Sequence, residues 1–126
     1  MTKKILFVLC LFIALVGVIS FEQIYTETAI KDMIEKVNVL QTSVVNNEES
    51  SKQQVDSVVK FWADKEKIIC LFVDYRDIEQ IGKQADLVKS HLGNGDFELA
   101  IVECNALLHA IENFSNMVKL DFFNIF

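Results

Sequence analysis

The chain begins with a long apolar stretch that differs from everything after it. Residues 5–21 contain no charged side chain, and Lys3 and Lys4 stand directly before them. As a helix, this stretch would span roughly 26 Å at about 1.5 Å per residue, close to the thickness of the hydrocarbon core of a bilayer. The pattern therefore predicts a membrane-spanning helix through residues 5–21.

Two fates of this stretch fit the sequence. It is an uncleaved signal anchor, or it is a signal peptide that is cut near Ser20, where small residues offer a cleavage site, to release a secreted protein. Because lysines precede the stretch and acidic residues follow it, the N-terminus is expected in the cytoplasm. In both cases we expect residues 22–126 to form an extracytoplasmic domain and residues 1–21 to form the anchor or signal.

Hydrophobic residues then recur every three or four positions, which is the spacing of one helix face. The first stripe continues the membrane helix outward and stops at residues 46–51, which are turn formers ending in serines that can cap a second helix. Its members are Ile30, Met33, Val37, Leu40 and Val44.

The second predicted helix carries the only tryptophan, Trp62, within its apolar stripe. Residues 68–73 form an uninterrupted apolar run. Because no pairing strand is predicted nearby, we interpret this run as the buried end of the second helix. The stripe residues are Val55, Val58, Val59, Trp62, Ile69 and Val73.

A third and a fourth helix follow, joined by a short polar turn. Asp77 is predicted to cap the third helix, Gly93 to end it in a left-handed conformation, and Asp96 to cap the fourth. A turn of about four residues makes these two helices an antiparallel hairpin. The two stripes are Ile78, Ile81, Ala85, Val88 and Leu92, and Phe97, Ala100, Cys104, Leu107, Ile111 and Phe114.

The predicted fold class is all-α: an N-terminal membrane helix followed by a small antiparallel bundle of three to four helices with a C-terminal hairpin. The absence of proline and the presence of only four glycines disfavour a β architecture with many turns. The end of the chain is strongly apolar, and it either docks on the bundle or serves as an adhesive tail for a partner. The tail residues are Phe122, Phe123, Asn124, Ile125 and Phe126.

The distribution of charge and the lack of catalytic motifs disfavour several classes of function. Of 12 basic residues, only Lys3 and Lys4 precede the apolar run, and all 18 acidic residues follow it. This acidic surface disfavours nucleic acid as a partner. We see no metal, nucleotide or redox motif, and we expect no catalytic residue and no cofactor. Cys70 and Cys104 are either buried free thiols or a disulfide pair.

The outer part resembles a family of mostly clostridial membrane-anchored proteins, the domain of unknown function 4363. The features that carry the resemblance are Trp62, the apolar run at residues 68–73, the corner Asp74-Tyr75, the hairpin, and an ending at Asn124-Ile125-Phe126. Tyr75 stands where the family tends to have histidine. This departure removes the residue that could have supported metal or acid–base chemistry at the corner, and the resemblance implies no activity.

Two functional hypotheses remain. The first is a non-enzymatic membrane-anchored domain, held in the membrane by residues 5–21, that binds or supports another envelope protein. The second is an extracytoplasmic module that holds a small apolar ligand between its helices. The candidate partner-binding or structural residues are Trp62, Asp74, Tyr75, Asp77 and the tail residues 122–126.

Overall fold

The computed structural model describes the backbone of residues 1–125 and the side chains of residues 1–120. The elements are α1 (Thr2–Val45), α2 (Ser51–Ile69), α3 (Tyr75–Gly93) and α4 (Phe97–Ile125). Residues 1–125 contain no strand. The all-α prediction, with a long N-terminal apolar helix and a bundle after it, is confirmed.

The four helices form a closed antiparallel ring. α1 packs against α2 and α4, and α3 packs against the same two helices. Only the second part of α1 takes part, since the first buried side chain along the chain is Thr26. Residues 1–21 project from the bundle, and α1 is a candidate membrane span by its length and composition.

The core is built from the predicted stripes. All stripe residues of α1 and α3 are buried, as are those of α4 except Phe97, which is half-buried. On α2, Val59 is half-buried, while Val55, Val58, Trp62 and Ile69 are buried. Because each helix of a ring touches two neighbours, a single stripe per helix is enough to fill the centre.

Trp62 joins three helices at the centre of this core. From α2, its indole Nε1–H donates a hydrogen bond of 3.1 Å to the carbonyl oxygen of Ile78 on α3. Its ring meets Phe114 of α4 edge-on, with 6.2 Å between ring centroids and 87° between ring planes. Trp62 is therefore a structural residue whose one polar group already has a partner.

The predicted end of α2 is wrong. The helix ends at Ile69, and Cys70, Leu71, Phe72 and Val73 form the connection to α3. Ile68 and Leu71 are exposed, at 37% and 74%. The physical reason is that a helix in a four-membered ring buries only one face, so it cannot cover six consecutive apolar side chains.

Two predicted helix ends are also shifted by two or three residues. α3 is capped by Asp74 and not by Asp77, because the Asp74 Oδ1 accepts the backbone N–H of Arg76 at 3.0 Å. The left-handed glycine after α3 is Gly95, with φ of 74°, and not Gly93. The N–H groups of Gly95 and Asp96 donate to the carbonyls of Leu92 and His91, which is the Schellman arrangement with its positive φ at residue 95.

At the start of α2, Ser50 stands at the cap position as predicted, but its hydroxyl makes no hydrogen bond to the helix. Two other ends are as expected. Asp96 caps α4 by accepting the Leu99 N–H at 3.1 Å. α1 ends at Val45 in a second Schellman arrangement, in which Asn47 takes the positive φ of 56° and the N–H of Glu48 donates to the Ser43 carbonyl. Asparagine tolerates this conformation better than most residues do, which explains why the predicted turn ends the helix there.

Truncation of Trp62 should destabilise the bundle severely. Trp62→Ala removes a buried indole, and the expected loss of unfolding free energy is about 3–5 kcal/mol. Trp62→Phe keeps most of the packing with Phe114 and loses the hydrogen bond to Ile78. Its melting temperature should therefore lie between those of the native protein and Trp62→Ala. Thermal unfolding of detergent-solubilised full-length protein, followed by circular dichroism, measures this order. Equal melting temperatures for Trp62→Ala and the native protein would contradict the assignment.

Candidate functional site

The outer face of the α3–α4 hairpin carries a groove of about 560 Å³, and grooves of about 420 Å³ and 380 Å³ lie elsewhere on the bundle. Its lining positions recur every three or four residues on both helices, so the groove follows the seam between two parallel stripes. The lining residues are Asp77, Gln80, Gln84, Ala106, His109, Ala110, Asn113, Phe114 and Met117.

A buried polar link sets the register of the two helices below this groove. Gln84 of α3 is buried, and its amide donates to the backbone carbonyl of Glu103 at 3.2 Å and to the Glu103 carboxylate. A buried amide with these partners is satisfied, and it holds one register because sliding the helices would break both bonds.

Beyond the groove, the same two stripes become apolar and exposed. Leu87 continues the stripe of Gln80 and Gln84 on α3, and Leu99 and Val102 continue the α4 stripe. All three side chains are exposed. Because α3 and α4 are antiparallel and Gln84 meets Glu103, Leu87 lies level with about residue 100, between Leu99 and Val102. We treat these three exposed side chains as an apolar patch at the turn end of the hairpin. We call this patch and the groove together the hairpin face.

The groove between α1 and α2 differs in being covered by its own cations. It measures about 420 Å³ and includes Val39 and Phe61. The Lys36 ammonium lies 5.2 Å from the centroid of the Phe61 ring, and Lys65 lies 5.4 Å from it. These contacts already shield the aromatic surface from water, which leaves the hairpin face as the better candidate site.

The structure separates the predicted corner residues. The Asp74 carboxylate caps α3 and also accepts a hydrogen bond of 3.1 Å from the Arg76 guanidinium, which holds the pKa of Asp74 below its usual value. Tyr75 is exposed at the start of α3. Only Asp77 reaches the hairpin face, where it lines the lower end of the groove.

Cys70 and Cys104 are both free thiols. Cys104 follows Glu103 and so lies level with Gln84, about 14 Å along α3 from the corner that Cys70 precedes. A disulfide requires Cα atoms within about 7 Å, so the disulfide alternative does not fit this arrangement. Burial raises the pKa of the Cys104 thiol to about 11, which makes this group unreactive at neutral pH.

The tail prediction lies largely outside the described side chains. The backbone of residues 122–125 continues α4 as a helix. The side chains of Phe122, Phe123, Asn124 and Ile125 lie outside the described part of the chain, and so does all of Phe126.

Sequence reasoning missed Leu87, Leu99 and Val102 as site residues. A signal for them exists in the sequence: each is a large apolar residue that falls off the core stripe of its own helix. His109 is exposed and lines the groove. Among residues 1–120, no three His, Cys, Asp or Glu side chains are grouped as a metal site would require.

A second electrostatic feature lies between α2 and α3. Burial raises the pKa of the Glu66 carboxyl, and the carboxylates of Asp86 and Glu79 raise it further. A raised folded-state pKa means that folding disfavours the charged carboxylate. This penalty is complete above the folded pKa and disappears as the pH falls through that pKa towards the ordinary value of 4.5.

Glu66→Gln should therefore raise the melting temperature at pH 7, because it removes the penalty. The gain should shrink as the pH is lowered below about 4.5, where the native carboxyl is protonated in both states. Melting curves of the native protein and Glu66→Gln between pH 3 and pH 8 measure this gain in melting temperature. Glu112→Gln, on the exposed side of α4, is the control. A gain that is independent of pH would contradict the electrostatic explanation.

Comparison with known proteins identifies a family. No curated protein and no solved structure matches the sequence. The family described as "Domain of unknown function (DUF4363)" matches residues 20–125, which covers the bundle and leaves out most of the apolar N-terminal stretch. The chain belongs to this family.

Proposed function

We propose that the protein is a non-enzymatic, single-pass membrane-anchored domain that binds another protein of the cell envelope through its hairpin face. The observation that carries the anchoring part is the exposure of the first part of α1. Its most apolar part contains no buried residue, whereas the stripes of the bundle are buried apart from a few half-buried members such as Val59 and Phe97. A soluble protein of this size rarely leaves such a surface in water.

The orientation follows from charge. Lys3 and Lys4 precede the apolar stretch, while the bundle beyond it carries all the acidic residues. Basic residues are retained on the cytoplasmic side, so the bundle is expected outside the cytoplasm.

The hairpin face supports the partner-binding part. It combines three exposed apolar side chains with polar and histidine side chains around a groove, as a protein interface combines an apolar centre with a polar rim. A stripe-lined groove between two helices is also the shape that receives an amphipathic helix. The partner that fits is therefore a protein with an exposed helix.

Anchoring predicts fractionation. Full-length protein should remain in the membrane pellet through a high-salt wash, because residues 5–21 hold it by apolar insertion, and salt does not weaken such insertion. A C-terminal tag should be accessible to protease on intact cells. Recovery of a mature chain beginning at Phe21 in the medium would contradict anchoring and establish signal cleavage.

If the hairpin face binds a partner, substitution of an exposed valine on that face should weaken binding, and the same substitution of an equally exposed valine elsewhere should not. Val102 on the hairpin face and Val39 on α1 are each 58% exposed, so the same substitution removes the same apolar surface from either. Cross-linking in intact membranes and co-purification should capture one stoichiometric protein with the native chain and with Val39→Ser. Val102→Ser should reduce its recovery by about tenfold, since loss of one interfacial apolar contact costs about 1–2 kcal/mol. Equal loss with both variants would contradict the hairpin face as the site.

A further inference from the structure

The two ends of the bundle differ in polarity. At the end far from the apolar stretch, the connections are Asn46-Asn47-Glu48-Glu49-Ser50 and Asn94-Gly95-Asp96, all polar apart from the glycine. The connection at the opposite end, residues 70–74, is apolar from Cys70 to Val73 and ends at Asp74, the cap of α3. Connections that meet water are normally polar, so this contrast indicates two different surroundings.

The apolar connection lies where α1 leaves the bundle. Near the end of α2, the Lys65 ammonium sits 5.0 Å from the centroid of the Tyr25 ring. Leu71 comes six residues after Lys65 along the chain, on the side towards the apolar stretch. It is 74% exposed, more than any other large apolar side chain in residues 22–120.

The end of α4 reaches the same level. The Gln41 amide donates to the Asn105 side chain at the far end, while Glu27 and Lys119 line one groove at the near end. α4 therefore runs antiparallel to α1. Its helix continues six residues beyond Lys119, about 9 Å, which brings its backbone level with about residue 21 of α1. Residue 21 is the last of the apolar stretch.

Exposed apolar side chains from three elements thus collect at one end. They are Ile24 on α1, Ile68 and Leu71 around the end of α2, and Leu120 on α4. We call these four side chains the basal patch. It is continuous along α1 with Phe21 and the apolar stretch, so whatever surrounds residues 5–21 also meets the patch.

We propose that the basal patch inserts into the headgroup–acyl boundary of the bilayer that holds α1, so that the bundle stands on the membrane instead of hanging from it. The proposal rests on the anchoring proposed above. Lipid is the expected contact because the membrane-spanning part of α1 ends directly beside the patch, so the bilayer surface lies at the same level. Insertion is apolar and needs no anionic lipid, since the acidic bundle gains nothing from a negative surface. Tyr25 and Lys65 beside the patch are residue types that suit this boundary.

Spin-label accessibility in phosphatidylcholine nanodiscs tests the proposal on the full chain. Single labels are placed by Leu71→Cys or Leu120→Cys in the basal patch and by Val45→Cys at the far end, each with Cys10→Ala and Cys70→Ser. Val45 is also exposed, at 54%, and serves as the matched control. Cys104 is buried and stays in place. A fourth sample keeps Cys10, within the apolar stretch, as the only labelled thiol and reports on anchoring.

The spin labels at residues 71 and 120 should collide readily with oxygen, which concentrates in lipid. Their accessibility to the water-soluble nickel chelate should be much lower than that of the label at residue 45. Far-UV circular dichroism checks that each variant is folded, and the two patch labels serve as independent readings. If residue 10 is in lipid while 71 and 120 are as open to nickel as 45, the proposal fails and the anchor stands. If residue 10 is itself open to nickel, the anchoring fails, and the basal insertion fails with it.

Discussion

The continuity of α1 is the constraint on which the rest of the structure depends. One helix runs from Thr2 to Val45 without proline, so the apolar stretch and the first wall of the bundle share an axis. α2 and α4 pack against the second part of α1, and α3 closes the ring by packing against α2 and α4. Successive helices run in opposite directions. Two of the three connections are therefore held away from the apolar stretch and one is held next to it. A flexible linker after residue 21 would have left the ends of the bundle equivalent.

Trp62 fills the centre of the four-helix ring and links helices that are not neighbours in it. α2 faces α4 across the centre of the ring, and the indole of Trp62 is large enough to bridge that gap to Phe114. Its N–H reaches Ile78 in the first turn of α3, and Gly82 lies beside the ring one turn later. A Cβ at Gly82 would lie 3.6 Å from the Trp62 ring, which is ordinary van der Waals contact, so an alanine would also fit there. The hydrogen bond and the edge-on contact with Phe114, and not a missing side chain, therefore hold the indole in place.

The core residues could be predicted because buried apolar residues recur every three or four positions along a helix. Stripes such as Ile78, Ile81, Ala85, Val88 and Leu92 fix which face of each helix turns inward, whatever the neighbours are. Helix ends and surface sites have no such period. Asp74 and Asp77 are both residue types that cap helices, and the pattern cannot tell which of them accepts the first free N–H; in the structure it is Asp74, which accepts the Arg76 N–H. The hairpin face was missed for a related reason: Leu87 comes to the level of Leu99 and Val102 only through the pairing of α3 with α4 that Gln84 helps to fix, and no local pattern encodes that pairing.

The two proposed surfaces are geometrically related. α4 descends from the apolar patch at Leu99 to Met117 at the lower end of the groove, a distance of about 27 Å along its axis. Under the proposed anchoring, Met117 is the end nearer the bilayer, and the basal patch lies beyond it. A partner helix that emerges from the same membrane would therefore meet the groove first and the apolar patch after about five turns. A bundle standing on the bilayer holds this face upright, parallel to such a helix. The basal contact would then act on partner binding by fixing the orientation of the hairpin face, without touching the partner.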